Sequence, residues 1–280
     1  MSLNTDFFKM SGAGNDFIAL AAPDRPPTSA EIRAWCRRGL SLGADGVFTL
    51  ERQQPFVRMG YYNADGERSD LCLNGCRCAV RLAFHLDWVE DGSELELETD
   101  IGVLRARRNS DDHITLELPR IIERPREISL EGDGFLLQGR LLRVGVPHLV
   151  LPWKQPLSEA PVTELGPALR AHPAVGADGA NVNFVRFPTR DHCQLRTYER
   201  GVEAETLACG TGIVATVAAG LAEGQLTSPV TALTAGGHQL RVEGSLDGRK
   251  PWTLEGDARI VATGILQPGA FANPATPAWR

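Results

Sequence analysis

Apolar residues in this chain come in short runs punctuated by Gly, Asn and Asp, and the period of each run sets the element expected there. Phe7-Phe-Lys-Met10 and Asp16-Phe-Ile-Ala-Leu-Ala-Ala22 have the pattern of short strands flanking a Ser-Gly-Ala-Gly-Asn loop, and Ser29 to Arg38 has the spacing of a helix. Val57 to Tyr62 predicts another strand and Asn63-Ala-Asp-Gly66 a turn. Asn74 to Leu86 then predicts a helix with small apolar residues around most of its circumference. Only Arg77, Arg81 and His85, four apart, form a polar stripe on it, the pattern of a solvated side on a mostly buried helix.

The second half of the chain repeats the first. Cys72-Leu-Asn-Gly75 leads into the small-residue helix, and Cys209-Gly-Thr-Gly212 leads into Ile-Val-Ala-Thr-Val-Ala-Ala219, which is apolar all round and therefore expected to be buried. Thr99-Asp-Ile-Gly-Val-Leu-Arg105 is echoed by Thr234 to Arg241, and Ile114-Thr-Leu-Glu-Leu118 by Trp252-Thr-Leu-Glu-Gly256, at nearly the offset that separates the two cysteines. More weakly, Gly14 to Leu20 overlies Gly145 to Leu151. This pattern predicts an α+β protein built from two duplicated domains, 1–120 carrying Cys72 and 121–280 carrying Cys209, with the last strand free to pack back on the first domain. The Pro- and Ala-rich tail, 268–280, is expected to be poorly ordered.

Bulk composition narrows the class. At 280 residues and 42% hydrophobic, the chain can support two modest cores, and a net charge of −6 with a pI near 5.6 supplies no cationic surface for nucleic acid. Neither a signal-like N-terminus nor an apolar run of membrane-spanning length is present in the sequence, which predicts a cytoplasmic protein with no membrane partner. In that compartment the six cysteines are expected to be reduced. Cys72, Cys76 and Cys78 lack the paired spacing of a zinc site, so no metal is expected. Cys36, Cys76, Cys78 and Cys193 read as small buried hydrophobes.

Cys72 and Cys209 differ because each precedes a helix whose first-turn N–H groups lack intrahelical partners and carry the positive end of the dipole. Such a position lowers a thiol pKa from about 8.5 into the ~3.5–7.5 range. Two domains related by duplication would line a cleft with equivalent residues, setting Cys72 opposite Cys209. A small amino acid between them, its carboxylate on the N–H groups of Leu73, Asn74 and Gly75 and of Gly210 and Thr211, could lose its α-proton to a thiolate on one face. It would gain one from a thiol on the other, and the helix-end donors would stabilise the charge that grows on the carboxylate. This is two-base racemase chemistry, and it requires no cofactor.

Those residues also carry a resemblance. Lys9-Met-Ser-Gly-Ala-Gly-Asn-Asp-Phe17, Leu42-Gly-Ala-Asp-Gly46, Asn63-Ala-Asp-Gly66, Cys72-Leu-Asn-Gly75, Pro147-His148, Asn181-Val-Asn-Phe184, Glu199-Arg-Gly-Val202 and Glu205-Thr-Leu-Ala-Cys-Gly-Thr-Gly212 are similar to the motifs of the diaminopimelate epimerases. The resemblance implies two pseudo-symmetric domains, each a curved, mainly antiparallel sheet around a central helix, with the active site in the interdomain cleft. It implies Cys72 and Cys209 as the acid/base pair, with His148 and Glu199 tuning their protonation. Asn15, Asn63, Asn181, Glu199 and Arg200 fall where the family holds the substrate's polar groups, and a homodimer is implied as well. Two positions depart from the family pattern: Leu73 stands where Gly is usual, and Val146 where Asn is frequent. They keep open a relative that racemises another amino acid, such as histidine. A protein of another class would be a family-like isomerase or binding protein without two-thiol catalysis.

Overall fold

The computed structural model describes residues 6–69, 71–119, 123–132 and 134–271. The chain forms two compact units, Met1–Ile114 with Ala258–Arg280, and Thr115–Asp257. The first unit's opening stretch thus ends a few residues before residue 120, and the segment from Ala258, whose strand was expected to be free to pack back on the first domain, lies in the first unit.

In the first unit, strands β1 (Asp6–Gly12) and β2 (Asn15–Ala21) precede helix α1 (Ser29–Cys36); β3 (Gly46–Gln53) and β4 (Phe56–Asn63) precede α2 (Leu73–His85); β5 (Glu94–Thr99) and β6 (Gly102–Ser110) form a hairpin. A capping box starts α1, in which the Thr28 hydroxyl accepts from the Glu31 N–H and the Glu31 carboxylate accepts from the Thr28 N–H. The chain's last strand, β17 (Arg259–Ile265), pairs with β1, giving the order β17-β1-β2-β3-β4-β5-β6. Along that order the pairings are antiparallel, antiparallel, parallel, antiparallel, parallel and antiparallel.

The second unit holds β7 (His113–Leu118) from Thr115 on, β8 (Arg126–Gly132), β9 (Phe135–Val144), β10 (Val146–Pro152), α3 (Val162–Arg170), β11 (Asn181–Thr189), β12 (His192–Glu199), β13 (Ala204–Thr206), α4 (Gly210–Ala222), β14 (Val230–Leu233), β15 (Gln239–Glu243) and β16 (Trp252–Asp257). Its order β8-β9-β10-β11-β12-β14-β15 runs through the same series of antiparallel and parallel pairings. The duplication read from the sequence is therefore a duplication of topology, with α1 matching α3 and α2 matching α4. It also accounts for β17. In the second unit β8 hairpins onto β9, whereas the first repeat has no described strand ahead of β1, and the chain's last strand fills that place.

One face of each sheet packs on the short helix. Ile18, Leu20, Ile32, Trp35 and Val47 form that core in the first unit, and Leu149, Leu151, Val162, Leu169, Val182 and Phe184 form it in the second. Phe271, at the end of a 3-10 turn over Pro268–Phe271, sets its ring edge-on to Trp35 at 5.6 Å. The expected disorder from Pro268 is thus corrected for 268–271, where an aromatic anchor holds the chain; residues 272–280 lie outside the described residues.

The other face curves around the long helix. Helix α2 touches every strand from β1 to β6 and β17, and α4 touches β9, β10, β11, β12 and β15. This wrapping overturns the solvated stripe on α2. Arg77 is 0% exposed, its guanidinium donating to the Leu73 carbonyl at 3.5 Å and to Asn74 Oδ1 at 2.9 Å. Arg81 is mostly covered beside Asp112, and of the three only His85 is exposed. Small neighbours such as Cys76, Cys78 and Ala79 let the sheet close on all sides of the helix, so a polar side chain there must find partners inside. Among the described residues, no helix is long and apolar enough to cross a membrane.

Candidate active site

Each unit carries one half of the residue set singled out by the sequence. Cys72 is the N-cap of α2, with extended backbone (φ −134°, ψ 103°), and Cys209 is the N-cap of α4 (φ −118°, ψ 108°). The two sulfurs thus stand at the same place on equivalent helices of 13 residues each. Cys72 Sγ accepts a hydrogen bond from the Gly75 N–H at 3.4 Å, and a first-turn donor aimed at sulfur is the arrangement that favours a thiolate. Cys209, 6% exposed, lies 3.5 Å from the Thr211 hydroxyl oxygen. Cys72 is partly exposed, whereas the other five cysteines are buried, as expected for Cys36, Cys76, Cys78 and Cys193.

In the first unit a line of polar groups runs beside Cys72. Arg77 holds Asn74 Oδ1; the Asn74 amide donates to Asn15 Oδ1 at 2.6 Å; the Asn15 amide donates to Asp45 Oδ2 at 3.0 Å; and Arg38 closes the line on Asp45 Oδ1 at 2.8 Å. The orientation of both asparagines is thus fixed from each end by a charged group. Asp16 sits against the same cluster. Burial alone would raise its carboxyl, but hydrogen bonds from Arg38 and Lys9 outweigh that and hold it below the usual range. Asn63, at the end of β4, is exposed and begins the expected turn, where the Gly66 N–H donates to its carbonyl at 2.9 Å. Leu73 takes the first helical position and is 2% exposed.

In the second unit the parallel register of β10 and β11 sets His148 beside Asn181. Asn181 Oδ1 accepts from the Arg200 N–H at 2.8 Å, tying β11 to the end of β12; Arg200 Nη1 donates to the Asp178 carbonyl at 3.1 Å. Glu199 Oε2 accepts from the Thr206 hydroxyl at 2.9 Å, three residues before Cys209. His148 is wholly buried, and that burial, with the Arg200 charge acting in the same direction, pushes its pKa down to about 3. It is a neutral imidazole across the physiological range.

Three residues that hold this set in place, Asp45, Asn183 and Thr197, were not singled out from the sequence, and a fourth, Arg77, was expected on a solvated stripe. Asp45 lies inside a quoted motif but carried no role. Asn183 had a readable signal, since it falls two residues after Asn181, on the same face of β11. Nothing local marks Thr197, which meets Asn183 only through the antiparallel register of β11 with β12.

Sheet-and-helix units of this kind recur in solved structures. The chain resembles a hydroxyproline epimerase from Agrobacterium vitis with a TM-score of 0.70 at 16% identity, over 98% of this chain and 96% of that one. It resembles a phenazine biosynthesis PhzF-family protein from Enterococcus faecalis with a TM-score of 0.71 at 15% identity, over 95% of this chain and 100% of that one. At the level of sequence, the family model for diaminopimelate epimerase matches residues 7–118 and 140–261, one stretch for each repeat. A diaminopimelate epimerase from Gemmatimonas aurantiaca is 37% identical over 285 residues, covering 93% of this chain and 98% of the relative. Another from Aquifex aeolicus is 34% identical over 259 residues, covering 86% and 91%. The chain belongs to the diaminopimelate epimerase family of isomerases.

Proposed function

We propose that this protein interconverts LL- and meso-2,6-diaminopimelate by two-base proton transfer at the α-carbon, with Cys72 and Cys209 as the acid/base pair and no cofactor. The observation that carries this reading is the placement of the two thiols: each caps the central helix of one of two units that share a strand-pairing order. One sulfur, as thiolate, removes the α-proton; the other, as thiol, delivers a proton to the opposite face, and the roles exchange in the reverse direction. First-turn N–H groups of Leu73, Asn74 and Gly75 and of Gly210 and Thr211 bind the α-carboxylate and stabilise the charge that grows there. Asn15, Asn63, Asn181, Glu199 and Arg200 hold the remaining polar groups of the substrate, and His148 and Glu199 tune the thiols. A mechanism that works through two thiols suits a cytoplasmic setting, and the reading includes a homodimer.

Proton NMR of the reduced enzyme with LL-diaminopimelate in D2O tests the proposal. The wild type is expected to exchange the α-proton and form the meso isomer, while Cys72→Ala and Cys209→Ala each fail to epimerise. Epimerisation by either single variant would overturn the two-thiol mechanism. A second reading, racemisation of another amino acid such as histidine, is favoured by Val146, which supplies no side-chain amide at the start of β10. A wild type that ignores diaminopimelate but exchanges the α-proton of another amino acid would select it.

A further inference from the structure

We propose that Asn183 locks His148 as the neutral Nε2–H tautomer, so that in the reaction His148 acts as a hydrogen-bond donor and not as a proton acceptor, with Asn183 as its positioning residue. The inference rests on the functional reading above and deepens it, because it assigns a state and a direction to a residue whose role had been only to tune.

One atom beside Asn183 has unambiguous hydrogen-bonding chemistry. The Leu149 carbonyl can only accept, and Asn183 Nδ2 lies 3.1 Å from it. Turning the amide over would set two acceptor oxygens against each other at that distance. On its other side the Asn183 oxygen accepts from the Thr197 hydroxyl at 2.9 Å, which agrees with the same orientation. The second amide hydrogen therefore points to His148 Nδ1, 3.3 Å away, and that ring nitrogen must be an acceptor. A neutral imidazole with an unprotonated Nδ1 carries its proton on Nε2.

The amide has no room to swing aside. A Cβ at Gly212, in the first turn of α4, would come within 2.4 Å of Asn183 Oδ1, so the side chain is confined between β10, β12 and the helix that Cys209 caps. His148 Nε2 is itself buried and has no hydrogen-bond partner among the described residues. A buried N–H left over in this way is costly unless a ligand or a reaction step uses it. The ring's one lone pair is occupied by Asn183 and its one proton is unspent, so it can give a hydrogen bond to an anion that forms beside it but cannot relieve a thiol of a proton at Nε2. Charge works in the same sense: Arg200 is the cation that acts on the ring, and it disfavours an imidazolium.

The full chain labelled with 15N-histidine reads the tautomer directly. Long-range 1H–15N correlation is expected to show one histidine with an unprotonated Nδ1 and a protonated Nε2, unchanged from about pH 5 to 9, and His148→Gln identifies it by loss of that signal. Asn183→Ala should let the tautomers mix and lower kcat by roughly 10–100-fold, the range for partners that orient metal-bound histidines, with KM little changed. Thr197→Val, close in shape, should do the same to a smaller degree and serves if Asn183→Ala does not fold. A protonated Nδ1 in the wild type, titration of the ring inside that pH range, or full kcat in a folded Asn183→Ala would each overturn the proposal. If the wild type does not epimerise diaminopimelate, the spectra still report the tautomer, and the failure belongs to the functional reading alone.

Discussion

Gly75 and Gly212 occupy the third position of α2 and α4, and helix propensity treats them alike: Gly→Ala in a helix gains roughly 0.5–1 kcal/mol. Their surroundings do not. A Cβ at Gly75 would meet Met59 Cε at 3.2 Å and Cys72 Sγ at 3.5 Å, both at the ends of side chains that can yield. At Gly212 it would meet Asn183 Oδ1 at 2.4 Å, and to restore ordinary contact that oxygen must retreat by about 1 Å. The amide is pinned by Thr197, Leu149 and His148, so the retreat breaks one or more of these hydrogen bonds. Leaving one buried group unpaired costs about 1–3 kcal/mol, and forcing a methyl into a packed site costs a similar amount. Gly212→Ala is therefore expected to lose roughly 1–4 kcal/mol net of the propensity gain, while Gly75→Ala stays within about 1 kcal/mol of the wild type. Urea titrations of the two variants measure this, and melting should follow at roughly 2–4 °C per kcal/mol. The clash also predicts non-additivity: in an Asn183→Ala background, Gly212→Ala should cost little or become favourable. A Gly212→Ala variant that equals or exceeds the wild type in stability, or a cost that survives removal of the Asn183 side chain, would refute the clash.

Acid sensitivity and thiol reactivity give two further checks. The Arg25 guanidinium, helped by the Thr28 N–H and hydroxyl, holds the Glu31 carboxyl down at about 2, below its ordinary 4.5. A depressed carboxyl stabilises the fold above its unfolded value and loses that contribution as pH falls toward the folded one. Glu31→Gln should thus be less stable than the wild type by about 1 kcal/mol at neutral pH. The gap should close between pH 4.5 and about 2, and a gap that persists in acid would contradict the assignment. Burial pushes the thiols of Cys36 and Cys193 up to about 12, and raises that of Cys76. Brief alkylation of the native, reduced protein near pH ~8, read by mass spectrometry, should mark Cys72 first and these three only after denaturation. Early label on Cys36 or Cys193 would count against their burial.

Much of this was legible in the chain because duplication makes local pattern redundant. The strands near Phe7, Asp16 and Val57, the helix after Cys72 and its counterpart after Cys209 all stand within a few residues of their expected bounds. Candidate site residues at the ends of these elements were readable for the same reason. Arg77 was misread because periodicity describes one helix in isolation; whether its polar side meets water is decided by strands up to the chain's other end, β17 included. Asn183 and Thr197 escaped because cross-strand register places them, and register is a property of the assembled sheet; Asp45, just ahead of β3, is held by its N–H donating to the Asp16 carbonyl at 2.8 Å.

The two repeats place sulfur by the same main-chain device and surround it differently. Beside Cys72 the supporting line is ionic at both ends, running from Arg77 through Asn74 and Asn15 to Asp45 and Arg38. In the unit that carries Cys209 the corresponding support is neutral, running from Thr197 through Asn183 to an uncharged His148. Buried amides oriented by full charges are held more rigidly than amides oriented by a hydroxyl and an imidazole, because charge-assisted hydrogen bonds are about twice as strong as neutral ones. Backbone symmetry gives the protein two thiols in equivalent positions, on helices whose neighbouring polar lines differ in charge.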